Sequence, residues 1–224
     1  KVTFLEGRCL SYGSVIPYLP VLDILRDNCG ITESDGHEAI AEKLRSSLRE
    51  VGMNPDEGAP YLLNLFGVRK GTEGLAVLSP GTVRSRTFGT LLQMHLTSSQ
   101  QHPLIVAVEN LQWIDRTSEE YLASLVESLP SASILLIATY RPGYRPPWID
   151  KSSTNQVALS RLMPLESLRV LHSVLECDRL PERLAQLILS KAEGNPFFLE
   201  ELARSVAEHG VERPDLELPD TVQG

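Results

Sequence analysis

Two uninterrupted apolar runs, Leu104-Ile-Val-Ala-Val108 and Ile134-Leu-Leu-Ile-Ala138, constrain this chain more than any other feature. Each is short for a helix and lacks the polar alternation of a strand with one wet face. Each therefore reads as a strand buried on both sides. Between them, Thr117 to Leu129 has helical periodicity. Strand, helix, strand with short connections is a βαβ unit, with parallel strands and a right-handed crossover. A further short strand is expected from Val2 to Glu6, ended by Gly7, and Asn155 to Leu159 is another candidate strand. The expected class is α/β with a parallel sheet.

Helical stripes fill the rest. Tyr18 to Asn28 stops at Gly30, Ser34 to Val51 stops at Gly52, and Pro60 to Phe66 opens on a proline. Val68 to Gly81 reads as a loop, and Thr82 to Ser98 returns to helix. From Pro164 onward the pattern is helical only: Pro164 to Glu176, Pro181 to Glu193, and Pro196 to His209. The expected organisation is an α/β core over residues 1–160 and a small helical subdomain over 161–224.

Composition excludes several classes. The 224 residues suffice to bury a core without staples, and 42% hydrophobic with 22% charged is ordinary globular usage. The formal charge of −8 makes the segment a poor direct binder of nucleic acid. Its three cysteines, Cys9, Cys29 and Cys177, form no CxxC pair, which excludes a disulfide framework or zinc ribbon. The five histidines show no metal spacing and there is no GxSxG elbow. No apolar run reaches the roughly 18 residues that span a bilayer, and no signal peptide opens the chain, so a cytoplasmic protein without membrane contact is expected.

In open parallel sheets, ligands gather at the carboxyl ends of the strands. Those ends carry Glu109-Asn110, Thr139-Tyr140-Arg141 and the segment after Glu6. A carboxylate at the mouth of a buried strand needs water, a cation or a donor. Glu109 therefore suits Mg²⁺ or its waters, or else simply emerges into solvent. Arg141 suits bidentate phosphate recognition, or an ion pair with Glu109. Asp115 precedes a plausible capping box, Thr117-x-x-Glu120, as a pre-helix acid or an alternative N-cap. Trp113 reads as packing, and Arg84 and Arg86 lie on a helix face, solvated or turned to phosphate. Gly194-Asn195-Pro196 has the sequence of a helix stop followed by a helix start, which capping alone explains. No GxxxxGK[ST] phosphate cradle occurs anywhere.

Taken together and in order, these segments resemble one family. Val106-Ala-Val-Glu-Asn-Leu-Gln-Trp-Ile-Asp115 resembles the Walker B segment of STAND-type signal-transduction ATPases, which are AAA+-related P-loop NTPases. Thr139-Tyr-Arg141-Pro142 is similar to their sensor segment, and Lys191 to Glu201 to their GxP helix junction. Leu218 to Gly224 resembles the segment that follows that junction, and Glu6 to Gly13 the strand after the P-loop helix. The resemblance implies a P-loop NTPase-like core that binds ATP with Mg²⁺. Its nucleotide state would control effector domains in the same longer chain, of cyclase, kinase or helix-turn-helix type. It also implies Glu109 as the Mg²⁺-associated acid, Arg141 as the γ-phosphate sensor, and Gly194, Asn195 and Pro196 at the base or sugar. Asn110 stands where the family has a second acid, and an amide cannot act as a general base. The missing Walker A segment is expected upstream of Lys1, and without it ATP binding is expected to be poor. The alternatives are a catalytically inactive NTPase-like scaffold, or an unrelated α/β enzyme using Glu109 and Asp115 as an acid–base pair.

Overall fold

The computed structural model describes residues 1–13, 16–175 and 180–209. Three strands, β1 (Thr3–Arg8), β2 (Leu104–Glu109) and β3 (Ile134–Ala138), form one sheet in the order β1-β2-β3. Both pairings are parallel, and Arg8 stands opposite Glu109 while Val108 stands opposite Ala138. Helices α1 (Leu19–Cys29), α2 (His37–Glu50), α3 (Pro55–Leu65) and α4 (Pro80–Gln101) connect β1 to β2. Helix α5 (Arg116–Ser128) connects β2 to β3. Three further helices follow, α6 (Pro164–Leu175), α7 (Glu182–Ala192) and α8 (Pro196–His209). The expected α/β core with a helical part is the architecture observed. The chain divides into two compact units, one over Lys1–Gln156 and a second from Val157 onward.

The βαβ reading rests on the apolar runs, and the structure refines it. Burial along β2 alternates rather than being uniform. Leu104, Val106 and Val108 are buried with Leu5 of β1 against Val21, Ile24, Leu91, Tyr121 and Leu125 of the helices. Gly7 permits that contact, because a Cβ there would lie 2.4 Å from the Pro20 carbonyl oxygen and 3.1 Å from Ile24. The opposite face of the sheet is left open. Phe4, Ile105 and Leu135 form one cross-strand row on it, with Phe4 57% and Leu135 55% exposed.

Three expectations change. Asn155 to Leu159 joins no ladder; Val157 and Leu159 are largely exposed, so the segment lacks the burial that would hold a strand. Helix α3 begins five residues before Pro60, because Asn54 accepts the Asp56 N–H at 3.1 Å and Pro55 takes the first helical position. Pro60 is carried inside the helix. The stretch expected as a loop after Val68 contains a short 3₁₀ turn, Glu73–Val77. The Leu218 to Gly224 segment and Cys177 lie outside the described residues, and Cys9 and Cys29 are buried free thiols.

In the second unit, Leu171, Ile188, Leu199, Leu202 and Val206 form a small apolar core among α6, α7 and α8. No helix of the described residues is long and apolar enough to cross a membrane.

Candidate functional site

Parallel pairing in register brings the carboxyl ends of all three strands to one edge. Glu109 is the last residue of β2, half-exposed, and its main-chain carbonyl accepts the Cys9 N–H at 2.9 Å, which prolongs the β1–β2 ladder. Its carboxylate Oε2 lies 3.6 Å from Arg8 Nε. Arg8 also binds Glu6 Oε1 at 2.9 Å, and its guanidinium is held above its ordinary value by that hydrogen bond first, then by the charges of Glu6 and Glu109. Both partners of the Arg8–Glu109 pair are solvent-exposed, so it contributes little stability and can open for another cation.

Asn110 follows with φ 61° and ψ 45°, the left-handed region, where Asn is among the few non-glycine residues tolerated. This conformation turns the chain sharply off the strand and back toward β3. The Asn110 N–H donates to Thr139 Oγ1 at 3.1 Å, and the Leu111 N–H donates to the Thr139 carbonyl at 2.9 Å. A 3₁₀ turn, Leu111–Trp113, comes next. From it, Gln112 accepts the Arg141 N–H on Oε1 at 3.1 Å and donates from Nε2 to Asn110 Oδ1 at 3.4 Å. The loop bearing Glu109 and the segment bearing Arg141 are thus hydrogen-bonded to each other.

Arg141 itself is exposed, and among the described residues its guanidinium makes no ion pair with Glu109. The alternative of a structural Glu109–Arg141 pair is not what forms; Arg8 occupies the carboxylate instead. The segment after Arg141 is anchored from α5, where Glu119 Oε1 accepts the Tyr144 hydroxyl at 2.6 Å. Burial and then that bond to Glu119 push the Tyr144 hydroxyl far above its ordinary value. Tyr140 packs edge-on to Tyr144 with ring centroids 5.7 Å apart.

Asp115, not Thr117, caps α5. Its Oδ1 accepts the Thr117 and Ser118 N–H groups, both at 3.0 Å, and it is only 4% exposed. The Thr117–Glu120 capping box does not form, because Glu120 pairs instead with Arg84 and Arg116. Arg84 lies 5.5 Å above the Phe88 ring, and Trp113 is exposed rather than packed inside.

Gly194, Asn195 and Pro196 lie in the second unit. Gly194 has φ +74°, its carbonyl accepts the Leu162 N–H at 2.8 Å, and a Cβ there would lie 2.5 Å from the Leu162 carbonyl oxygen. Asn195 Oδ1 accepts the Phe197 N–H at 3.1 Å and the Phe198 N–H at 3.4 Å, as an N-cap does. Backbone geometry accounts for all three residues.

Arg8, Thr139 and Gln112 take part here although the sequence reading gave none of them a role of its own. Arg8 was legible in principle: extending the first strand by two residues sets it opposite Glu109. The link through Gln112 depends on side-chain reach across two loops, which no spacing rule encodes.

A parallel sheet whose strand ends gather an acid, a hydroxyl and an arginine beside helical connections is the layout of an α/β protein of the P-loop NTPase-like kind. Residues 1–137 match the family described as AAA ATPase domain, and the chain belongs to that family. Membership of that family supports an ATPase-like, nucleotide-binding type of module. The chain is also 28% identical over 160 residues to a protein of Rhizobium meliloti (strain 1021) described as Uncharacterized protein R02095. That match covers 67% of this chain and 15% of the relative, so the chain spans a small part of the curated relative's length.

The donor set fits the family's Mg²⁺ and nucleotide in one respect. Mg²⁺ keeps several waters and takes one or two carboxylates together with phosphate oxygens, which Glu109 at an exposed strand end can serve. Among the described residues no group of three or more His, Cys, Asp or Glu side chains could hold a metal without such help.

Proposed function

We propose that this chain forms the acid- and sensor-bearing part of an ATP-dependent regulatory switch, whose nucleotide state governs effector domains of the same protein. The observation that supports this reading is the hydrogen-bonded edge formed by Glu109-Asn110 on β2 and Thr139 to Arg141 on β3. In this reading Glu109 holds the hydrated Mg²⁺, and its weak pairing with Arg8 yields to that ion. Bound Mg²⁺ would supply neutralisation of the charge that develops on the phosphate oxygens. Arg141, exposed and without an ion pair among the described residues, reaches the terminal phosphate. The chemistry is positioning and electrostatics rather than covalent catalysis. Gly194, Asn195 and Pro196 present backbone to the base or sugar, and effector domains of cyclase, kinase or helix-turn-helix type are the partners proposed.

A second reading, an NTPase-like scaffold without turnover, is favoured by one observation. Asn110 cannot take a proton from water, and its Oδ1 is already engaged by Gln112.

The test is made on the full-length protein with Mg-ATP and Mg-ADP, following binding by calorimetry and phosphate release by a coupled assay. The switch reading expects tighter or different binding of ATP over ADP. It also expects a loss of about 10²-fold in phosphate release on Glu109→Gln with binding retained. Arg141→Ala is expected to abolish the distinction between the two nucleotides. Binding without release favours the scaffold; indifference of the wild type to ATP against ADP removes the switch.

A further inference from the structure

We propose that Gln112 is a positioning residue that couples the Arg141 segment to the Glu109 loop, so that a displacement of Arg141 is passed on to Asn110 and Glu109. The proposal rests on the nucleotide reading of this site and deepens it by naming how the two strand ends communicate. Its basis is the bonding logic of one side-chain amide. The Arg141 main-chain N–H can only donate, so the Gln112 atom 3.1 Å away must be its oxygen. That fixes the orientation of the Gln112 amide and turns its NH₂ toward Asn110. Asn110 must then offer Oδ1, which lies 3.4 Å from Nε2. Three groups on two loops are thereby set in one consistent arrangement.

What the latch holds is a residue in a sparsely populated conformation. Asn110, at φ 61°, is kept there by its N–H on Thr139 Oγ1 and by the Leu111 N–H on the Thr139 carbonyl. A non-glycine residue in this region persists only where its surroundings over-determine it. The next residue toward the N-terminus is Glu109, and the turn beyond Gln112 leads directly to Asp115, the cap of α5. Movement of the Arg141 backbone therefore has a bonded route to the acid and to the start of a helix. Among the described residues Gln112 is the side chain that joins the Arg141 N–H to the β2 loop.

The amide logic yields a test that a merely space-filling residue would not satisfy, made on the full-length protein by amide hydrogen exchange at Arg141. Gln112→Ala is expected to speed exchange there about tenfold, in keeping with the loss of one hydrogen bond. Gln112→Glu alone should keep protection, since one carboxylate oxygen still accepts from Arg141 and Asn110 can rotate its amide to donate. Asn110→Asp alone should also keep it, since a carboxylate accepts from Nε2. The double variant sets two carboxylates face to face and should lose protection, although each single change is tolerated. The Gln112→Ala protein is also expected to respond to ATP as it does to ADP. Unchanged Arg141 exchange in Gln112→Ala, or additive behaviour in the double variant, overturns the latch. If wild-type protein fails to distinguish ATP from ADP, the nucleotide reading falls instead, and the latch stands or falls on the exchange data alone.

Discussion

Asp115 illustrates how a single residue settles its own role. The chain enters α5 extended at this position, with φ −74° and ψ 151°, so Arg116 is the first helical residue and Thr117 comes too late to cap. Two backbone N–H groups then share Asp115 Oδ1, while Oδ2 and the neighbouring Ser118 Oγ are buried without a partner among the described residues. Asp115→Ala is expected to cost about 1–2 kcal/mol, whereas Asp115→Asn, which keeps the accepting oxygen, should cost well under half of that. Urea denaturation of the three proteins checks it; equal losses for Ala and Asn would refute the capping role. The same carboxylate acts on Cys9, whose thiol is pushed up to about 12 by burial first and then by the charges of Asp115 and Asp23. Cys9 is therefore a packing residue at neutral pH rather than a nucleophile.

At the scale of elements, α4 and α5 share a buried polar contact. His95 Nδ1 lies 2.6 Å from the Tyr121 hydroxyl, both rings are buried, and Phe88 meets Tyr121 edge-on at 5.6 Å. Burial lowers His95 from its ordinary 6.5 to about 4. The unfolded chain thus binds a proton that the folded chain refuses. Stability is undiminished above pH 6.5 and falls as pH drops from there toward 4, by roughly 2–3 kcal/mol at pH 4.5. Replacing His95 by Gln should remove this part of the pH dependence, seen as the difference between urea unfolding curves at pH 7.5 and pH 4.5. An identical pH slope in the variant would count against the buried neutral histidine. Helix α1 has a second task beside packing. Asp27 Oδ2 accepts the Glu6 N–H at 3.3 Å and Asp23 Oδ2 accepts the Arg8 N–H at 3.5 Å. These carboxylates, one turn apart, seal the outer edge of β1 against pairing with another strand.

Within the first unit, the described helices cover one face of the sheet. All-parallel sheets ordinarily have both faces covered, yet Phe4, Leu135 and Ile137 share an open face, with Ile137 44% exposed. Apolar surface of this kind favours association. Leu135→Lys is expected to leave unfolding free energy within about 0.5 kcal/mol of wild type while lowering concentration-dependent self-association of the 224-residue chain. Sedimentation velocity over a range of concentrations reads this directly; a large loss of stability would mean that Leu135 is part of a packed core.

Unbroken apolar runs marked the strands at Leu104 and Ile134, short connections made them parallel, and periodicity gave the helix between them and the helical run after Pro164. The parallel reading also brought Glu109 and Arg141 to the same edge of the sheet, since parallel strands end together. Asn195 as a cap was legible because capping is local chemistry. The tertiary structure alone decided that Arg8 and not Arg141 faces Glu109, that Gln112 bridges the two loops, and that one sheet face stays open. These depend on strand order, on which way a side chain leaves a turn, and on what lies across the sheet. A linear pattern carries none of these, because each is settled between residues far apart in the chain.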